Sequence, residues 1–436
     1  MRIGRSRQAP VPAKRGATPA GDRSIPAPSP VAVGHPAKRL AILPAVVLIQ
    51  ACLGGVYAWS AFVPFLTADD GLSMSRAQFV FGLAILTFTV AMVAAGRLLT
   101  RWGPRRVALL GALFFSVGHM ITAGAARRFP WLIGGYGLSV GVGIGFGYVA
   151  ALTSGVRWFP QRKGLVTGVA VAGFGLGGLL LASLAGKWTL AGWSFQEMFL
   201  TIGWAYGAAL VLGALFLFRP PGDNTDGIPN AVAGIRFAKS RNFRVLASGM
   251  FCGTFAGLLV IGLLKPIGLA AGLSPEDTTK AIGGLAAGNV AGRLIWGWLY
   301  DRIGYRTIPA ALALLCLAIG GMMASRFSSA AFFAAGSLVG FGFGACFVLY
   351  AAQVAETHGV DQVGRLYPFL FLSYGVAGIA GPLAGGLLHD WTGNYSVSLA
   401  MAALMAVLGA WLTRHPTAFG SEPSANGPRQ NADPCP

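Results

Sequence analysis

Charge is scarce in this chain. Only 11% of its 436 residues are Asp, Glu, Lys or Arg, less than half the roughly 25% typical of soluble domains. Acid is scarcer still, with 14 carboxylates against 33 Lys and Arg. The apolar stretches are almost empty of Asp and Glu, so the paired carboxylates of general acid–base chemistry are missing. No Ser–His–Asp or Cys–His arrangement stands out either, and an enzyme is not expected. The five cysteines show no pair spacing: Cys52, Cys252, Cys316 and Cys346 lie singly in apolar runs, and Cys435 is near the end. That pattern speaks against a disulfide framework and a metal site. No cofactor is implied.

What is abundant is apolar. Hydrophobic residues make up 55% of the chain and glycine contributes 64 positions, with a mean hydropathy of +0.64. Twelve apolar spans can be drawn, roughly 41–66, 76–99, 104–126, 131–156, 164–186, 195–218, 243–271, 277–299, 305–325, 329–355, 365–388 and 395–413. Each is long enough to cross a hydrocarbon core about 30 Å thick. The expected fold is therefore an all-α membrane protein of twelve transmembrane helices. The formal charge of +19 is scattered over short loops. That is the bias of cytoplasmic loops, not a nucleic-acid-binding face.

The longest interruption, Pro220-Pro221-Gly222-Asp223-Asn224 onward, divides the spans six and six. The organisation expected is a disordered cytoplasmic tail (1–40), a six-helix half (41–218), a cytoplasmic linker (219–242), a second half (243–414) and a second cytoplasmic tail (415–436). Loops bearing Arg97, Arg101, Arg105 and Arg106, and Arg157, Arg162 and Lys163, alternate with loops bearing Asp69, Asp70, Glu197, Glu276 and Asp277. Both termini are expected in the cytoplasm, with only Arg127 and Arg128 against the trend. The halves repeat in the same orientation. Gly96-Arg97-Leu98 through Arg106 recurs as Gly297-Trp298-Leu299 through Arg306, 201 residues later, and Gly164 and Gly175 recur as Gly364 and Gly375. Parallel six-helix repeats place a binding site at mid-membrane between them. The run Gly141-x-Gly143-x-Gly145-x-Gly147 lies inside a span with no strand before it, so it reads as close helix packing and not as a dinucleotide loop.

One charge breaks the apolar run 281–298: Arg293. The next charge, Asp301, is eight residues on, about 12 Å along a helix. A guanidinium at that depth costs on the order of 3 kcal/mol on insertion scales and cannot shed its proton. It calls for an anion, a polar partner or water. Asn289 lies one turn earlier on the same face, where the arginine side chain leans back toward it. Lys265 closes the seventh span at its outer end, as a second cation along the entry path or, more commonly for such a lysine, snorkelling to the interface. His119 in the third span reads as a buried structural histidine.

The chain resembles the major facilitator superfamily. The glycine, acid, arginine, glycine and basic loop of that family stands at 297–306 with Asp301 and Arg302. Its first copy holds Arg97, Arg101 and Gly103, with Thr100 in place of the acid. Within the superfamily the chain is similar to the oxalate/formate antiporter and monocarboxylate transporter group. This rests on Gly54-Gly55-Val56-Tyr57-Ala58-Trp59-Ser60, on Arg157-Trp158-Phe159-Pro160-Gln161-Arg162-Lys163-Gly164, and on Asn289 with Arg293. The resemblance implies that Arg293 binds a substrate carboxylate. It also implies that Tyr57, Tyr148, Tyr350 and Tyr374 lie on helices lining the central cavity, and that Asp301, Arg302, Arg97, Arg101 and Gly103 act in gating. Tyr374 stands where oxalate exchangers carry a lysine, and Asn289 where animal-type monocarboxylate carriers carry an acid. One buried positive charge suits one carboxylate. The expectation is a secondary active transporter of small organic anions such as lactate, pyruvate or formate, working by alternating access with proton symport. Alternatives are an oxalate/formate-like antiporter or an anion sensor that does not transport. Expected partners are the small carboxylate, a proton or counter-anion, and the lipid of the inner (cytoplasmic) membrane. No nucleic acid is expected, and the chain is expected to act as a monomer.

Overall fold

A computed structural model of the chain describes residues 36–69, 71–124, 128–159, 162–220, 237, 239–324 and 328–415. The tails 1–35 and 416–436 and most of the linker lie outside the described residues, as do Asp70, Arg127 and Gln161.

Among the described residues, ten stretches are long and apolar enough to cross a membrane, and two of them are fifty residues long. Met74–Ala123 is helical except at Gly103, where φ is 77°. Its arms, 74–102 and 104–123, are α2 and α3. Pro275–Ile303 (α8) gives way at Gly304, φ 59°, to a short turn and then to Thr307–Ala324 (α9). A left-handed backbone there carries little cost only for glycine, which is why each loop turns on one. The other helices are Pro36–Gly54 with its 3-10 continuation Gly55–Ala61 (α1), Phe129–Trp158 (α4) and Lys163–Leu190 (α5). Phe195–Leu215 (α6) and Arg241–Ala270 (α7) follow. Ser329–His358 (α10), Val360–Thr392 (α11) and Tyr395–Leu412 (α12) complete the set of twelve.

The end of the bundle that holds Pro36, Arg219, Ser240 and His415 is the terminal end, and its opposite the far end. Side chains of Ser73, Ser194, Ser274, Ser328 and Asn394 accept from backbone N–H groups where α2, α6, α8, α10 and α12 start at the far end. Such caps satisfy donors that a helix start leaves open.

The first six helices form one half and the last six the other. Within the second half, α8 and α10 approach backbone to backbone. A Cβ on Gly340 would stand 1.9 Å from the Leu285 carbonyl oxygen, and one on Gly344 would stand 2.4 Å from that of Asn289. Packing of this kind between small residues is how apolar helices associate in lipid. The seam between the halves pairs α2 with α11 and α5 with α8, and sets the 3-10 part of α1 against α7. Hydrogen bonds cross it at the far end. The Asp390 carboxylate on α11 accepts from the backbone N–H groups of Met74 and Ser75, at 3.0 and 2.9 Å. Gln78 Nε2 on α2 donates to the Gly262 carbonyl on α7 at 2.8 Å. Every residue of Gly55–Ala61 is buried, as is all of α7 from Cys252 to Gly268. Nearer the terminal end, residues 167–169 of α5 and 367–369 of α11 are only half-buried.

Candidate substrate site

Arg293 sits at the seam at mid-depth, 6% exposed. Its position on α8 is fixed by the close α8–α10 contact at Gly344, whose missing side chain leaves room for the Asn289 backbone. The guanidinium is held on three sides. Nε donates to Asn289 Oδ1 at 3.0 Å, the i, i+4 contact that the spacing implies. Nη1 donates to the Val171 carbonyl oxygen of α5 at 3.0 Å. The Phe347 ring of α10 lies 4.5 Å from the guanidinium carbon, a cation–π contact. Asn289 Nδ2, buried beside it, has no hydrogen-bond partner. A buried amide left half-satisfied is costly, so an acceptor placed there would be stabilised.

Tyr57 of α1 and Tyr374 of α11 meet across the seam, hydroxyl to hydroxyl, at 3.1 Å. Such a pair uses one hydroxyl hydrogen and leaves the other free for an acceptor. Phenylalanines hold both rings. Phe174 and Phe343 stand edge-on to Tyr57, at 5.5 and 5.7 Å between centroids. Phe347 and Phe371 pack on Tyr374 at 5.2 and 5.0 Å. Phe88 of α2 joins the group, 5.5 Å from Tyr148 and 6.3 Å from Tyr374. The result is one cation and a few hydroxyl and amide donors inside an aromatic wall.

The remaining residues singled out from the sequence lie elsewhere. Tyr350 is on α10 but turns toward α7 and α12: a Cβ on Gly249 would stand 2.6 Å from its hydroxyl and 2.5 Å from Thr413. It packs within the second half, apart from the Arg293 group. Arg97, Arg101, Asp301 and Arg302 are exposed at the terminal end, and Arg302 lies over the Trp298 ring at 3.8 Å. Gly103 is buried, with Arg219 against it. Arg219 Nη2 donates to the carbonyls of Leu99 and Thr100, both at 3.0 Å, capping the end of α2. His119 is buried in the first half, its Nδ1 2.8 Å from the Phe115 carbonyl, in a small apolar cavity with Tyr136 and Phe199.

Sequence reasoning missed the Val171 carbonyl, the phenylalanine wall and Arg219. Phe343 and Phe347 are one turn apart on α10 beside Gly340 and Gly344, a pattern that marks a face turned to a close neighbour. No sequence signal marks a backbone carbonyl.

The sequence profile of the Major Facilitator Superfamily matches residues 45–287 and 246–433. The chain belongs to this superfamily. It is 27% identical over 353 residues to the oxalate:formate antiporter of Oxalobacter formigenes, covering 78% of this chain and 82% of that protein. It is 27% identical over 376 residues to monocarboxylate transporter 11 of Mus musculus, covering 80% of each. The crystal structure of a D-xylose-proton symporter superposes with a TM-score of 0.66 at 15% identity, over 86% of this chain and 97% of that one. At that identity the likeness establishes the fold of this superfamily transporter and nothing finer.

Proposed function

We propose that this transporter carries small monocarboxylates, of the size of formate, lactate or pyruvate, by alternating access. One observation carries the reading: a single, permanently charged, buried arginine at the seam of the halves, beside a half-satisfied Asn289 amide. A planar guanidinium matches a carboxylate through two parallel N–H donors. Asn289 Nδ2 and the free hydroxyl hydrogen of the Tyr57–Tyr374 pair add further donors. The aromatic wall suits a short carbon chain and offers no second cation for a second carboxylate.

With the terminal end in the cytoplasm of an inner membrane, as the basic loops imply, the hydrogen-bonded far end is the closed outer gate. Arg97, Arg101, Asp301, Arg302 and the Gly103 turn then belong to the cytoplasmic gate. Arg219 caps the end of α2 beside that turn. The chain acts as a monomer, with its cavity formed between its own two halves.

The proton enters with the substrate in the first reading. A second reading, exchange of one anion for another, is favoured by the site itself, whose described members include no carboxylate to carry a proton. The antiporter relative points the same way. Uptake of labelled formate, lactate and pyruvate into proteoliposomes separates the two. Uptake by vesicles with no internal anion, driven by an inward proton gradient, supports symport. Uptake only against an internal anion assigns exchange. Failure of every small carboxylate to move in both formats overturns the proposed function.

A further inference from the structure

Lys265 on α7 is a second buried cation, and it is provided for quite differently. It is 3% exposed and makes no hydrogen bond or ion pair with a described residue. Arg293, by contrast, has an amide, a carbonyl and an aromatic face. A long lysine near a helix end ordinarily reaches water. Here every residue of α7 from Cys252 to Gly268 is buried, so the stem of the side chain runs inside the bundle.

Two neighbours fix where Lys265 projects. Three residues earlier, Gly262 lies against Gln78 of α2, in the other half. Three residues later, Gly268 lies against Thr278 of α8. At 100° per residue those directions bracket that of Lys265, so Lys265 projects into the sector between α2 and α8, the outer part of the seam. Since Gly268 is level with Thr278 and α7 runs antiparallel to α8, Lys265 lies about 18 Å from Arg293 along the same seam. The bond from Gln78 to Gly262 lies about 4.5 Å inward of Lys265, between it and Arg293, and the bonds from Met74 and Ser75 to Asp390 lie at about its own level.

We propose that Lys265 is an outer binding station for the carboxylate, occupied before Arg293 when the far end opens. This rests on the carboxylate reading above. A buried cation with no partner among the described residues calls for an anion, and an arriving carboxylate supplies one. When the far end separates, Lys265 becomes the first positive charge facing the outside. It draws anions toward the path and leaves Arg293 to hold them at mid-depth. The assignment makes Lys265 a residue for entry from outside and not part of the Arg293 site.

The test uses the full chain in a background with its cysteines replaced. Lys265→Cys is reconstituted and treated from outside with impermeant thiol reagents that add either an ethylammonium or an ethylsulfonate of similar size. Outer-face uptake of labelled pyruvate should fall about tenfold in Lys265→Cys, return with the cationic adduct and stay low with the anionic one. Unchanged uptake in Lys265→Cys, or equal effects of the two adducts, overturns the proposal. If Lys265→Cys does not fold, Lys265→Gln and Lys265→Arg serve. The half-saturating outside pyruvate concentration should rise about tenfold in the first and stay near the parent value in the second; equal values overturn the proposal. If the parent protein moves no carboxylate at all, the carboxylate reading itself fails, and that outcome is seen before any Lys265 variant is compared.

Discussion

The hydroxyls of Tyr57 and Tyr374 lie 3.1 Å apart, although the residues are 317 positions apart in the chain and belong to opposite halves. One hydrogen bond therefore ties the first helix of one half to the eleventh helix of the fold, inside the same aromatic wall that surrounds Arg293. Removing either hydroxyl leaves the other unpaired in a buried place, at a cost of about 1–3 kcal/mol. Tyr57→Phe should raise the half-saturating pyruvate concentration about tenfold. Tyr374→Lys should instead add a second cation beside Arg293, and oxalate or malonate should then compete with labelled pyruvate better than lactate does. An unchanged competition order in Tyr374→Lys would place residue 374 away from the substrate.

Arg293→Lys keeps a positive charge but loses the fork. An ammonium cannot serve Asn289 Oδ1, the Val171 carbonyl and a bidentate carboxylate in one geometry. The loss expected is about 2 kcal/mol, or roughly thirtyfold in transport efficiency. Initial rates over a pyruvate concentration series measure it, and parent-like efficiency would remove Arg293 from the site.

The outer latch makes a different prediction. The two oxygens of Asp390 each accept from one backbone N–H at the start of α2, where a negative charge also complements the helix dipole. Asp390→Asn keeps the shape but loses the charge and one acceptor. The far end should then open more often. Spin labels at Leu190 and Trp391, exposed on opposite halves at 74% and 75%, should report a larger population of long distances in the variant. Identical distance distributions would show that the latch does not hold the gate.

Gly344 and Gly320 offer a matched pair. A methyl group at 344 meets the Asn289 carbonyl at 2.4 Å, whereas nothing lies within 4 Å of position 320. Gly344→Ala should lower the melting temperature of the purified protein and weaken transport by shifting Asn289 and Arg293 off α10. Gly320→Ala should be neutral or slightly stabilising, since alanine is the better helix former. Similar melting of both variants would contradict the α8–α10 geometry.

Much of this molecule was legible before any coordinates. Twelve spans follow from hydropathy, and the repeat of Gly96–Arg106 at Gly297–Arg306 locates the two halves, because both are local properties of the chain. The Asn289–Arg293 contact was legible too, since i, i+4 neighbours on a helix meet wherever the helix goes. Tyr350 shows where such reasoning stops. Its helix was identified, but the face it takes depends on α7 and α12, which periodicity in an all-apolar helix does not distinguish. Asp390 and Met74 are 316 residues apart, and the Val171 acceptor is main chain. Only the packed halves bring those groups together.

The permanence of the Arg293 charge has an electrical consequence. A guanidinium cannot discharge, so an unloaded protein carries one positive charge at mid-depth whichever side the cavity faces, and a bound monocarboxylate cancels it. Where the anion enters without a proton, as in exchange, the loaded crossing is then insensitive to voltage; where a proton accompanies it, the loaded form keeps the single positive charge of the empty one. Voltage steps applied to a supported bilayer of the protein should evoke transient capacitive currents that shrink on adding pyruvate in the first case and persist in the second.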